Sequence, residues 1–244
     1  MTRAGLGWTR YASPASFYGL AGRLIPWCAV PAAALFAVGL YLGLVVAPVD
    51  FQQGDAYRVL FIHVPAAWMG MWLYVVLACY AAIGFVFKAR VSSMMASSLA
   101  VTGALFTGLA LATGALWGQP TWGTWWVWDA RTTSTVILLF LYIGFLSLQS
   151  AIDDPTRADR AGAILALVGV VNVPIIYFSV QWWNTLHQSA SIRIGGETTM
   201  ASSMLVPLLV MVAACWLYSI AVVLARVRCL IREREPHGVL SEAA

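Results

Sequence analysis

Two histidines and a run of tryptophans between them carry most of the chemistry this sequence can do. His63 and His187 each precede or follow a long apolar stretch, and residues 117–131, WGQPTWGTWWVWDAR in one-letter code, hold five of the twelve tryptophans. A neutral imidazole offers one ring nitrogen to a metal while the other is held by a hydrogen bond. An isolated histidine at a helix end equally serves as an interfacial hydrogen-bonding group. Tryptophan supplies large, rigid, flat contact area at little rotamer cost. Membrane-interface belts use it too, but they spread it over many helix ends and do not gather it in one segment. Trp122, Trp125 and Trp126 stand at i, i+3, i+4, a spacing that predicts a short interfacial helix with a flat aromatic face. Trp182 and Trp183, just before His187, extend the same platform.

Such a face suits a planar apolar ligand, and haem fits the collection: imidazoles bind its iron axially from both sides and indoles pack on the macrocycle. Arginine matches the propionates through its two-pronged guanidinium. Arg58, Arg131 and Arg193 are the candidates, with a lipid phosphate or Asp55, Asp129 and Glu197 as the alternative partners. Asp129 ends the tryptophan run where a helix should begin, so it caps that helix or fixes the proton of an axial histidine. Cys28, Cys79, Cys215 and Cys229 form no C-x-x-C-H, which excludes a covalently attached c-type haem and leaves haem b held without a covalent bond. The cysteines read as small buried hydrophobes.

The elements that must position these groups are membrane helices. The 244 residues are 61% hydrophobic and 10% charged, with a mean hydropathy of +0.81, too little polar surface for a soluble globule. Apolar runs near 24–46, 62–87, 94–116, 132–151, 161–181 and 204–225 can each cross a hydrocarbon core of about 30 Å. Backbone polar groups in hydrocarbon need internal partners, and the alternation of a barrel is missing. The fold class is therefore an all-α integral membrane protein, one bundle of six transmembrane helices spanning 1–244. Eleven Lys and Arg residues fall on the side of the termini and three on the other, which predicts cytoplasmic termini and an outer tryptophan-rich loop at 117–131. Pro65 and Pro207 lie near helix starts, while Pro31 and Pro174 should kink their spans and Asn172 can bond the freed backbone or a neighbouring helix. No Gly-rich phosphate loop occurs, so any ATP chemistry belongs to a partner.

The tryptophan run with its terminal Trp-Asp-x-Arg, together with FIHVPAAW at 61–68, resembles the WWD signature of haem-handling proteins. With six spans and this length the chain is similar to the haem exporter protein C (CcmC) family of bacterial cytochrome c maturation, over essentially its whole length. The resemblance implies His63 and His187 as axial haem ligands, with the segment holding Trp117, Trp122, Trp125, Trp126, Trp128, Asp129 and Arg131 supporting the macrocycle. It implies a multi-pass protein of the bacterial inner membrane that presents haem on the periplasmic side for attachment to the haem chaperone CcmE. A small membrane subunit, CcmD, and the CcmA/CcmB ABC transporter are implied as further partners. Thr132 departs from the pattern, which usually has Leu after the signature's arginine.

Other classes fit less well. A bis-histidine cytochrome b would use the same ligands but keeps its haem between helices, often with paired histidines on the spans. A transporter path would need ionisable residues inside the spans, and there are almost none. A hydrolase or transferase would need a nucleophile arrangement, which is missing. The expectation is a haem-binding chaperone and assembly factor with no enzymatic activity and no nucleic-acid partner.

Overall fold

A computed structural model describes residues 13–187 and 200–235. Its regular structure is helical throughout: α1 (Pro14–Tyr41), α2 (Leu60–Phe87), α3 (Arg90–Trp122), α4 (Ala130–Ala151), α5 (Pro155–Gly169), α6 (Asn172–Trp182) and α7 (Ser202–Arg234). A π turn, Leu42–Val46, continues α1, and a 3-10 turn, Asp55–Val59, leads into α2. Counting α5 with α6 as one interrupted span, six helical segments are long and apolar enough to cross a membrane. Large apolar side chains on the outside of the bundle, among them Trp27, Phe87, Phe140 and Val168, are exposed, as expected where lipid is the solvent. The protein is a six-span helical membrane protein.

The helix ends follow from local chemistry. The Ser13 hydroxyl accepts from the Ser16 N–H and Pro14 opens α1, so the first helix starts ten residues before the apolar run at Leu24. The Asp154 carboxylate accepts from the Arg157 N–H at 2.7 Å and Pro155 opens α5. Gly123, at φ 75°, closes α3 with its N–H on the Gln119 carbonyl, a left-handed cap that suits a residue without Cβ.

Two expectations change here. The tryptophan-rich segment is not all loop: Trp117 to Trp122 form the last turns of α3, and only 123–129 are irregular. Because Gly123 ends the helix, Trp125 and Trp126 do not continue a helical face with Trp122, and the short interfacial helix does not form. Pro174 does more than kink its span. The span breaks at Val170–Val171 and restarts at Asn172, which puts Pro174 in the first turn of α6, where a missing N–H leaves no helical acceptor unpaired. Asn172 Nδ2 donates to the Ser134 carbonyl of α4 at 2.8 Å, the expected bond to a neighbouring helix. α1 runs on through Pro26 and Pro31.

α1 lies along α7 and α2 along α3, with α4 to α6 closing the bundle. Small residues let the backbones approach, as membrane packing favours. A Cβ on Gly70 would meet Thr107 Oγ1 at 2.7 Å, and one on Gly103 would fall 2.2 Å from the Tyr142 ring. The fully buried Tyr142 hydroxyl donates to the Gly70 carbonyl at 2.8 Å and its ring packs edge-on against Tyr74. At the end of the bundle that holds the termini, Arg234 binds Asp159 at 2.9 Å and reaches Gln149, joining α7, α5 and α4, while Arg90 pairs with Glu235. The opposite end holds His63, His187 and the tryptophans of residues 117–128.

Candidate functional site

At that opposite end a cleft of about 780 Å³, counting space open to solvent, lies between α2, α3, α4 and the irregular segments after α3 and α6. Its wall includes His63, Trp122, Trp125, Trp126, Asp129, Arg131 and His187. The enclosed part is only about 70 Å³, below the roughly 300–1,000 Å³ of a pocket that surrounds a cofactor, so a ligand the size of haem has to lie in the open mouth of the cleft or part the segments that line it. Seven of the nine site residues read from the sequence thus meet in one cleft.

His63 stands in the first turn of α2, and α3 builds the cradle for its ring. Nδ1 lies 3.0 Å from the Ala110 carbonyl and 3.1 Å from Thr113 Oγ1. A carbonyl can only accept, and the Thr113 hydroxyl spends its proton on the Leu109 carbonyl at 2.6 Å. Nδ1 must therefore carry the hydrogen, which leaves the Nε2 lone pair bare in the neutral ring. Gly114, one turn beyond Ala110, makes room: a Cβ there would sit 3.0 Å from His63 Cε1. Trp117, a turn further, packs edge-on against the imidazole with centroids 5.7 Å apart. The Trp117 indole N–H donates to Gln53 Oε1 at 2.9 Å and so ties the segment after α1 to α3. Trp117 therefore acts from behind His63, outside the cleft lining. Neither Gly114 nor Thr113 was recognised from the sequence, where they are two small residues inside an apolar run.

His187 is positioned from the other side. Its Nδ1 is 3.2 Å from Asp129 Oδ2, its backbone N–H donates to Thr185 Oγ1, and its ring lies 5.3 Å from that of Trp122. Asp129 does both jobs weighed for it: Oδ1 caps α4 by accepting from the Thr132 N–H at 2.7 Å while Oδ2 holds the imidazole. Thr132, the departure from the family pattern, donates through its backbone, so the cap survives the change of side chain. Burial pushes the Asp129 carboxyl up, but the Thr132 N–H and His187 together outweigh it and hold it below its usual value. Burial, then the Arg131 charge, press the His187 imidazole below 6.5 against the opposing pull of Asp129. His187 is thus neutral at pH 7, with Nδ1–H on the carboxylate and Nε2 bare.

Two donors stand in the cleft wall. The Trp126 indole N–H is buried with no hydrogen-bond partner among the described residues, and the Arg131 guanidinium lines the same wall, attracted by the Asp129 carboxylate. Both are suited to an anionic group entering the cleft. Arg58 pairs with Asp55, one of the partners weighed for it, at 2.8 Å and donates to the Gly43 carbonyl, and it does not line the cleft. Arg193 lies outside the described residues. Trp128 is exposed and touches Trp126 edge-on without lining the cleft. Trp182 and Trp183 are exposed as well, Trp182 stacking on Phe178, so the expected extension of the platform does not occur.

The family model for heme exporter protein C matches residues 7–241. The chain belongs to the heme exporter protein C family. It is 46% identical over 223 residues to heme exporter protein C of Bradyrhizobium diazoefficiens, an alignment covering 91% of this chain and 84% of the relative. To the Escherichia coli K12 protein of the same name it is 48% identical over 180 residues, 74% of each chain. It is also 44% identical over 180 residues to a putative cytochrome c biosynthesis ccmC-like mitochondrial protein of Marchantia polymorpha, covering 74% of this chain and 76% of the relative.

Proposed function

We propose that this chain holds haem b in the cleft between His63 and His187 and presents it to the chaperone CcmE during cytochrome c maturation. Membership of the heme exporter protein C family supports haem handling. One observation carries the finer reading: both imidazoles border the same cleft, and each has its Nδ1–H committed to an acceptor so that Nε2 is the free nitrogen. Haem is the cargo, and its iron accepts imidazole nitrogen in this protonation state.

The protein's part is to bind, orient and release. The Ala110 carbonyl and Thr113 fix one ring, and Asp129 fixes the other. The indoles of Trp122, Trp125 and Trp126 offer apolar faces, and the Arg131 guanidinium with the Trp126 N–H would take the propionates. No residue of this set is arranged as a nucleophile with its base, so the activity is delivery and the chemistry of attachment falls to the partner. The excess of Lys and Arg on the side of the termini supports a periplasmic cleft with cytoplasmic termini in the bacterial inner membrane. CcmD and CcmA/CcmB are the expected assembly partners.

The test is the optical spectrum of the detergent-purified protein from haem-replete cells beside His63→Ala and His187→Ala at equal protein. A low-spin b-type spectrum that each substitution weakens, with added imidazole restoring it, supports two axial histidines. Haem retained unchanged in both variants, or none bound by the wild type, would remove the histidines from the reading.

A further inference from the structure

The end of the bundle away from the cleft carries a second feature that haem binding leaves unused. Tyr18 on α1 has two guanidinium groups over its ring, Arg228 at 4.2 Å and Arg232 at 5.3 Å from the centroid. Both come from α7 at i, i+4, so they share one face of one helix, a spacing at which like charges repel. Gly22, a turn beyond Tyr18, admits the Arg228 head: a Cβ there would stand 2.9 Å from Cζ. Arg228 Nε is buried and has no hydrogen-bond partner. Among the described residues neither arginine forms an ion pair; Asp159 is taken by Arg234 and Glu235 by Arg90.

We propose that Tyr18, Arg228 and Arg232 form a binding site for the phosphate of an anionic phospholipid, between α1 and α7. Two guanidinium groups share one ring with no ion pair among the described residues, and a phosphate that reaches both relieves their repulsion while accepting from each. Depth favours a lipid as the source. Gly22 lies immediately before the apolar stretch of α1 and Arg228 follows that of α7, which sets the site where hydrocarbon gives way to headgroups. Arg23 and Arg226, both exposed nearby, add attraction without being part of the cage.

The experiment uses the full-length protein in phosphatidylcholine nanodiscs with and without phosphatidylglycerol. It compares wild type with Arg228→Gln/Arg232→Gln and, as a control of equal charge loss, Arg23→Gln/Arg226→Gln. Native mass spectrometry reads retained lipid and thermal melting reads stabilisation. Both charge pairs lose the same diffuse surface attraction, roughly fivefold per cation. The first pair also loses two charge-assisted hydrogen bonds, each worth roughly tenfold or more, so its phosphatidylglycerol retention should fall about a hundredfold below that of the control. Tyr18→Leu, which keeps every charge, should also lose the bound lipid, and this variant decides the matter if the double variant fails to fold. Inorganic phosphate stabilising wild type as well as phosphatidylglycerol does, and the cage variant less, would support the phosphate site with a soluble source. Equal lipid loss in both charge pairs, or full retention in Tyr18→Leu, overturns the proposal in favour of diffuse surface attraction. Stabilisation by an acidic peptide with indifference to phospholipid overturns it as well.

Discussion

Replacing Asp129 by asparagine separates the two roles of one side chain. The α4 cap needs an oxygen facing the Thr132 N–H at 2.7 Å, and asparagine supplies one with little loss as an N-cap residue. With that oxygen turned to Thr132, the amide NH₂ faces His187 Nδ1, which lies 3.2 Å from Asp129 Oδ2 in the wild type. An NH₂ can only donate, so Nδ1 must accept and the His187 proton moves to Nε2, the nitrogen that the proposed ligation uses. Groups of this kind cost 10–100-fold in metal affinity when changed, about 1.4–2.8 kcal/mol. Haem titration of the purified variant should therefore give an affinity at least tenfold weaker, with a melting temperature near that of wild type. Asp129→Ala, which loses the cap too, should lower stability by a further ~1 kcal/mol. An Asp129→Asn protein that binds haem within twofold of wild type, with the same spectrum, would refute the tautomer argument.

The pH dependence follows with its sign. His187 has a folded pKa below 6.5, so the unfolded chain takes up the proton first as pH falls through 6.5; stability and haem affinity both decline there, measurable by melting and haem titration between pH 7.5 and 5. Asp129, depressed from 3.8, keeps its contribution through that window, begins to lose it as pH falls through 3.8 and has lost it below its own folded value. Gly114→Val should displace the His63 ring, whose Cε1 stands 3.0 Å from the position of an added Cβ, costing ~1–3 kcal/mol of binding by overpacking; haem titration with added imidazole, which refills the vacated axial position, checks it. Trp126→Phe should weaken haem binding severalfold without the destabilisation a lost hydrogen bond brings, since its indole N–H has no partner in the free protein; melting and titration together test this. Tyr142→Phe should lose ~1 kcal/mol of stability with haem affinity unchanged, because its bond to the Gly70 carbonyl lies within the bundle.

How much of this was legible in the sequence depends on the kind of physics involved. Six spans follow from apolar runs alone, because a bilayer leaves the backbone so few options. The break at Val170–Val171 was partly visible through Pro174, but whether a proline bends a helix or begins a new one is decided by the packing around it; here the Asn172 bond to α4 holds the restart. The extent of α3 was misjudged because indoles suggest loops and interfaces, whereas Trp117 and Trp122 are helical and their helix ends on a glycine with a positive φ. The residues that gather in the cleft stood out in the sequence as rare types. Thr113 and Gly114 did not, since their value lies in which imidazole passes over them, a contact 50 residues distant in the chain.

The two histidines are held by unlike means, and that difference bears on release. His63 sits on a helix, with Nδ1–H shared between a carbonyl and a hydroxyl, neutral acceptors fixed in the adjacent helix. His187 lies in an irregular segment, and its partner is a carboxylate, which raises the basicity of the free nitrogen. The stronger donor is thus on an irregular segment and the weaker donor on a helix. Such a pair can let go of a ligand by moving one segment without unpacking the bundle, and loss of the Asp129 contact is the local event that would allow it. A delivery protein needs binding tight enough to select its cargo and a step that ends it. If haem is held as proposed, that step falls at His187, and haem should leave Asp129→Asn faster than Thr113→Val when stopped-flow transfer to an excess of apomyoglobin is followed. The reverse order would assign release to the His63 side.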